Sequence, residues 1–244
     1  MTFWDHLEEL RRVLLRCIAV VALFAVLAFI FKDEVFAIIF APKSPNFLPR
    51  IFGSSPDIKL INTELTRQFV IHMMTSFYVG IIVAAPYILY ELYRFISPAL
   101  YQNERRYSTP LVISSYIMFM LGTLFSYFIV FPITFRFLGN YQVDSSVENL
   151  ISLESYIDTL VFLSLAMGIV FEIPILTWLL GRLGILRRQQ MQQYRRHAFV
   201  IILIISAIIT PTSDAFTLAI VSIPMYILYE LSILLVPSGG HKRI

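Results

Sequence analysis

Two short runs set a glutamate among arginines just ahead of an apolar stretch. His6-Leu7-Glu8-Glu9-Leu10-Arg11-Arg12 precedes the apolar residues that begin at Val13, and Pro98-Ala99-Leu100-Tyr101-Gln102-Asn103-Glu104-Arg105-Arg106 precedes those that begin at Pro110. An ionised carboxylate accepts both arms of a guanidinium, so Glu9 and Glu104 together suit a ligand with two adjacent arginines. The competing reading is local pairing: Glu8 with Arg12 at i,i+4, Glu9 with Arg12 at i,i+3, and Glu104 with its own arginines. Spacing alone favours local pairing. A third acid, Glu172 in Gly168-Ile169-Val170-Phe171-Glu172-Ile173-Pro174-Ile175, stands inside an apolar stretch. It lies roughly 14 Å of helix from the end of that stretch at Gly181. A carboxylate in a membrane costs a few kcal/mol on insertion, so it should be protonated or hydrogen-bonded, and it is a functional candidate by default. Pro174 lacks the N–H that would reach the Val170 carbonyl, which predicts a locally polar, kinked site. The alternative role for Glu172 is a satisfied internal hydrogen bond.

Catalytic patterns are missing. No Gly-x-Ser-x-Gly, His-Glu-x-x-His or P-loop pattern occurs. His6, His72, His197 and His241 lie on different segments without ligand spacing, and no histidine sits deep in an apolar run beside Ser164, Ser206 or Ser222. Asp158 and Asp214 fall at element ends rather than forming a buried pair. One cysteine, Cys17, excludes an internal disulfide and a cysteine-based zinc cluster. The expectation is a protein that is not an enzyme, holds no metal and needs no cofactor.

The elements that must position these acids are read from composition. Of 244 residues, 58% are hydrophobic and 14% charged, with mean hydropathy +0.75. Soluble domains hold about 25% charged residues, and a chain this small cannot hide such an apolar excess in a core. A bilayer needs about 20 apolar residues per helix, and that ruler gives six spans at about 13–31, 69–89, 110–131, 160–181, 198–210 and 215–236. The runs are continuous rather than alternating, which disfavours a barrel. No polar linker divides them, so residues 1–244 are expected to form a single polytopic membrane domain, with an N-terminus that is not a cleaved signal peptide. Thirteen of the 19 Lys and Arg residues fall on the side of the N-terminus, which predicts cytoplasmic N- and C-termini. The fold class expected is all-α: a curved bundle of six transmembrane helices, the fifth and sixth short.

Further details follow from proline and polarity. The fifth span holds about 13 apolar residues, or about 20 Å, unless the helix starts earlier within Met191–His197. Pro211 ends it, and the Pro211–Asp214 turn sends the chain back. Pro86 and Pro224 should kink their helices. The outer connection Lys32–Gln68 should be ordered by turns, Pro132–Ile151 should carry a short helix, and the inner loop Glu91–Thr109 should be ordered at the interface. Glu91 and Glu230, near inner helix ends, are expected to reach the headgroups.

Together these segments resemble the TatC family, the polytopic subunit of the twin-arginine protein translocase. The likeness rests on His6 to Arg12, Ala41-Pro42, Ala85-Pro86-Tyr87-Ile88-Leu89-Tyr90 running to Phe95, Pro98 to Arg106, Phe128 to Pro132, Phe171-Glu172-Ile173-Pro174, Thr210-Pro211 with Asp214, and Ile223-Pro224-Met225-Tyr226. It covers essentially the whole chain, in order. The resemblance implies a bacterial inner-membrane receptor and scaffold that exports folded proteins on the proton-motive force. It implies that Glu9 and Glu104 read the arginine pair of signal peptides, with Arg11, Phe95 and Arg105 beside them. It implies that Pro42 matters on the periplasmic side, and that Glu172, with Asp214 and Thr217 of the fifth and sixth spans, docks single-span TatA-type and TatB-type subunits. Implied partners are twin-arginine signal peptides, those subunits, the lipid bilayer and further copies of the chain, with no nucleic acid. The chain departs from some relatives at Leu218, close to where they carry a glutamine. The main rival is a proton-coupled secondary transporter with Glu172 as relay; an intramembrane protease would require the missing Ser–His pair.

Overall fold

Long apolar runs, interrupted only where proline or a polar turn removes a hydrogen bond, fold as helices. The computed structural model describes residues 3–44, 47, 59–96, 108–144, 149–210 and 214–237. Among these the chain is helical: α1 (Phe3–Ile30), α2 (Lys32–Phe40), α3 (Arg67–Ile96), α4 (Ser108–Phe125), α5 (Phe131–Asn140), α6 (Leu153–Val170), α7 (Ile173–Arg182), α8 (Arg188–Gln193), α9 (Arg195–Ile209) and α10 (Ala215–Leu235). Among the described residues five stretches are long and apolar enough to cross a membrane: His6–Ile30, Arg67–Phe95, Pro110–Asn140, Leu153–Arg182 and Ala215–Leu235. The last is the shortest of the five, at 21 residues. The sixth expected span is α9. It does begin earlier, at Arg195, yet it holds only 15 residues, about 22 Å of helix against a hydrocarbon core of about 30 Å.

Proline acts differently at each site. Pro174 sits in the first turn of α7, and the break from α6 falls at Phe171 and Glu172, where the reading from Pro174 put it. Pro132 opens α5, preceded by a π-helical turn, Ser126–Val130, that joins α5 to α4 without a loop. The short helix expected in Pro132–Ile151 is thus the continuation of the third span. Helices α3 and α10 run on through Pro86 and Pro224. Gly184, at φ 72°, supplies the left-handed residue that ends α7. In the outer connection, α2 and a 3₁₀ turn at Ala41–Lys43 give order, and Ile61 forms an isolated bridge with Ser152.

The polarity is that of a membrane bundle. Outward faces carry Leu14, Ile18, Leu23, Val26, Ile204 and Ile208, whereas Thr75, Ser76, Ser115, Ser126, Ser206 and Ser232 are buried. Small and hydroxyl residues let helix backbones approach where lipid provides no hydrophobic drive between them. Ser76, Ser164 and Ser232 satisfy their hydroxyls on the carbonyl four residues back. Two contacts admit only glycine. A Cβ on Gly80 of α3 would lie 2.8 Å from the Ala25 nitrogen of α1, and one on Gly122 of α4 would lie 2.4 Å from the Met167 carbonyl of α6.

Gly80→Ala should therefore push α1 from α3 and cost about 1–3 kcal/mol, as overpacking does elsewhere. A thermal unfolding midpoint in detergent equal to that of the parent chain would remove this account of the α1–α3 contact.

Candidate functional site

The N-terminal turns of α1 and the C-terminal turns of α3 enclose a cleft of about 380 Å³, lined by Glu8, Glu9, Arg12, Val13, Arg16, Glu91, Arg94 and Phe95. Helical spacing decides the pairing on α1. Glu8 takes the i,i+4 position to Arg12, and their contact is 2.6 Å in the open. Such an exposed pair contributes about 1 kcal/mol or less. With Arg12 engaged, Glu9 forms no ion pair or hydrogen bond among the described residues. The local pairing weighed from spacing is thus realised by Glu8, and Glu9 lines the cleft with its charge uncommitted among the described residues. The ring of Phe95 stacks on His6 with centroids 4.3 Å apart, which fastens the start of α1 to the end of α3. Arg11 is exposed and stands outside the cleft lining. Glu104 and Arg105 lie outside the described residues, as does the rest of 97–107.

Glu91 corrects an expectation. An acid near a helix end was expected to reach the headgroups, yet Glu91 is 2% exposed. It faces α1 because it continues, seven residues on from Ala84, the small-residue face of Ser76, Gly80 and Ala84 on which α1 packs. One oxygen, Oε1, accepts from the Tyr87 hydroxyl at 3.1 Å and lies 3.5 Å from Arg16 and 3.9 Å from Arg94. The other, Oε2, is buried with no hydrogen-bond partner. Glu230, by contrast, is partly exposed; it pairs with Arg195 at 2.7 Å and accepts from Tyr226 at 3.2 Å.

A second polar site lies across α3. Glu172, 7% exposed, precedes the first residue of α7 at the α6–α7 break, without a side-chain capping bond. The Ser115 hydroxyl of α4 lies beside its carboxyl, and Ser115 shares a 2.8 Å hydrogen bond with the Tyr93 hydroxyl of α3. The Glu172 Oε1 atom has no partner. The acid thus heads a three-residue polar chain built from three parts of the bundle. Tyr93 and Ser115 were not singled out from sequence, because one hydroxyl in an apolar run carries no signal until its partner is known.

The remaining candidates are separate. Asp214 caps α10 by accepting from the Thr217 backbone N–H at 2.7 Å, and the Thr217 hydroxyl is fully buried with no hydrogen-bond partner. Next to them Phe216 stacks on Phe137 at 3.7 Å. The rest of the Pro211–Asp214 turn lies outside the described residues. Pro42 is buried at the start of the 3₁₀ turn that follows α2. The carbonyls at the end of α2 are held from other helices: Tyr156 donates to Ile39 at 3.0 Å and Tyr127 to Ile38 at 2.6 Å. Nearby, Arg67 of α3 pairs with Glu154 of α6. Tyr156→Phe should cost about 1 kcal/mol of stability by leaving the Ile39 carbonyl unpaired, seen as a lower unfolding midpoint; an unchanged midpoint would show that this tether carries no weight.

Comparison with known proteins agrees with this architecture. The family model described as Sec-independent protein translocase protein (TatC) matches residues 5–224. The Sec-independent protein translocase protein TatC of Aquifex aeolicus is 38% identical over 244 residues, covering 100% of this chain and 98% of the relative. That of Escherichia coli K12 is 35% identical over 229 residues, covering 93% of this chain and 85% of the relative. A crystal structure of the twin arginine translocase receptor TatC in DDM matches with a TM-score of 0.82 and 38% identity, covering 95% of this chain and 99% of that one.

Proposed function

This chain belongs to the TatC family of Sec-independent protein translocase proteins, and from that premise we propose that it is the receptor for twin-arginine signal peptides. As a member it is a multi-pass membrane component of protein translocation, from a family of transport subunits rather than catalytic enzymes. The observation that carries the receptor reading is the cleft between α1 and α3, where Glu9 has no cation of its own among the described residues. In this reading a peptide guanidinium docks on Glu9, and Glu104, a short stretch beyond the end of α3, takes its neighbour. Phe95 supplies an apolar wall, and Arg11 and Arg105 bias the register by repelling misplaced arginines.

The cleft then faces the cytoplasm, as the excess of Lys and Arg on that side argues. Residues 1–244 act as one domain of the inner membrane with both termini cytoplasmic. Glu172 serves a different partner. Its polar chain with Ser115 and Tyr93, together with Asp214 and Thr217 at the head of α10, suits docking of single-span TatA-type and TatB-type helices. Pro42, fixed at the opposite end, keeps α2 folded over the outer face. The 15-residue α9 draws the bilayer thin beside that docking face. Further copies of the chain join the same complex. Export draws on the proton-motive force, since the sequence carries no P-loop pattern.

Glu9→Gln should weaken binding of a twin-arginine peptide to the full-length protein in nanodiscs by about tenfold or more, the worth of one charge-assisted hydrogen bond. Equal affinity for the variant and the parent, read by fluorescence anisotropy, would contradict the reading. Glu172→Ala should keep peptide binding within about twofold and lose co-purification of the single-span subunits. A variant that still assembles and exports folded cargo at parental yield would reduce Glu172 to a structural acid.

A further inference from the structure

We infer that Glu91 is a further recognition carboxylate of the α1–α3 cleft, contributing from α3 to the grip on an arginine guanidinium that Glu9 provides from α1. This rests on the receptor reading above. A carboxylate has acceptor sites on both oxygens, and Glu91 uses only one of them. Tyr87, Arg16 and Arg94 all approach Oε1, while Oε2 is buried without a donor in a residue that lines the cleft. A carboxylate oxygen left bare and buried is strongly unfavourable, and a donor entering the cleft removes that penalty once the side chain turns toward it. Neither local arginine supplies it. Their nitrogens stand 3.5 and 3.9 Å from Oε1, and their side chains are 48% and 58% exposed.

The chemistry of the cleft selects the ligand. Carboxylates reach it from two facing helices, Glu9 on α1 and Glu91 on α3. A guanidinium presents several donors in one plane and bridges two acceptors at once; an ammonium is a single strongly hydrated point charge. Glu91 thereby makes the cleft prefer arginine over lysine. It does so from a buried position, where the interaction is little screened by salt.

The test crosses variants of the full-length protein in nanodiscs with variants of the peptide. Glu91→Gln keeps the shape of the side chain and its bond to Tyr87 while removing the charge. It should lower affinity for the twin-arginine peptide about tenfold. That loss should shrink to less than about twofold when one particular arginine of the peptide is already glutamine, and preference for the twin-arginine over a twin-lysine peptide should narrow. An equal loss for every peptide, or none for any, would overturn the assignment, since a residue that only joins α1 to α3 acts on all ligands alike. If Glu91→Gln loses its fold, Glu91→Asp, which keeps the charge and shortens its reach, is read by the same two criteria. Glu9→Gln separates the two levels: loss there with no effect of Glu91→Gln sinks the present inference alone, whereas no loss in either sinks the receptor reading.

Discussion

Helices α1 and α3 meet backbone to backbone at Gly80, where the space for a Cβ is already filled by Ala25 and Val21. Everything proposed for the cleft depends on that approach. It brings the N-terminal turns of α1 alongside the C-terminal turns of α3, so charges 75 to 86 positions apart in sequence line one cavity. It also buries Glu91, because that side chain lies on the face that turns toward α1. The ring stack of His6 on Phe95 closes the pair at the cleft end.

The last turns of α3 serve two polar sites on two faces. Glu91 and Phe95 look onto the cleft with α1, while Tyr93 reaches Ser115 of α4 and, through it, Glu172. The two sites differ in what surrounds them. The cleft holds three glutamates and three arginines. Glu172 sits among hydroxyls with no cation in contact among the described residues, an environment suited to a neutral or hydrogen-bonded acid. In the proposed reading the same residue type does two jobs, set by whether arginines or hydroxyls stand around it.

Length and apolarity made the helices legible, since a run of about 20 apolar residues has one stable solution in a bilayer. The α6–α7 break was legible because Pro174 removes a specific hydrogen bond. The start of α9 was less so: Arg195, Arg196 and His197 are too polar to count as span, yet they continue the helix. Glu9 was singled out as a candidate, but its freedom from Arg12 depended on which neighbour took that guanidinium, and spacing left this open. Glu91 was misplaced because an acid near a helix end is usually solvated. Its burial follows from the small-residue face of Ser76, Gly80 and Ala84 that it extends, a pattern that acquires meaning only once α1 is known to be the partner.

The most direct test of the central claim is a structure of the full-length protein in nanodiscs with a twin-arginine peptide bound. The account predicts a peptide guanidinium within about 4 Å of the Glu9 carboxylate, inside the cleft between α1 and α3, the distance expected of an ion pair. A peptide seated elsewhere on the bundle, with the cleft still holding only its own arginines, would contradict it.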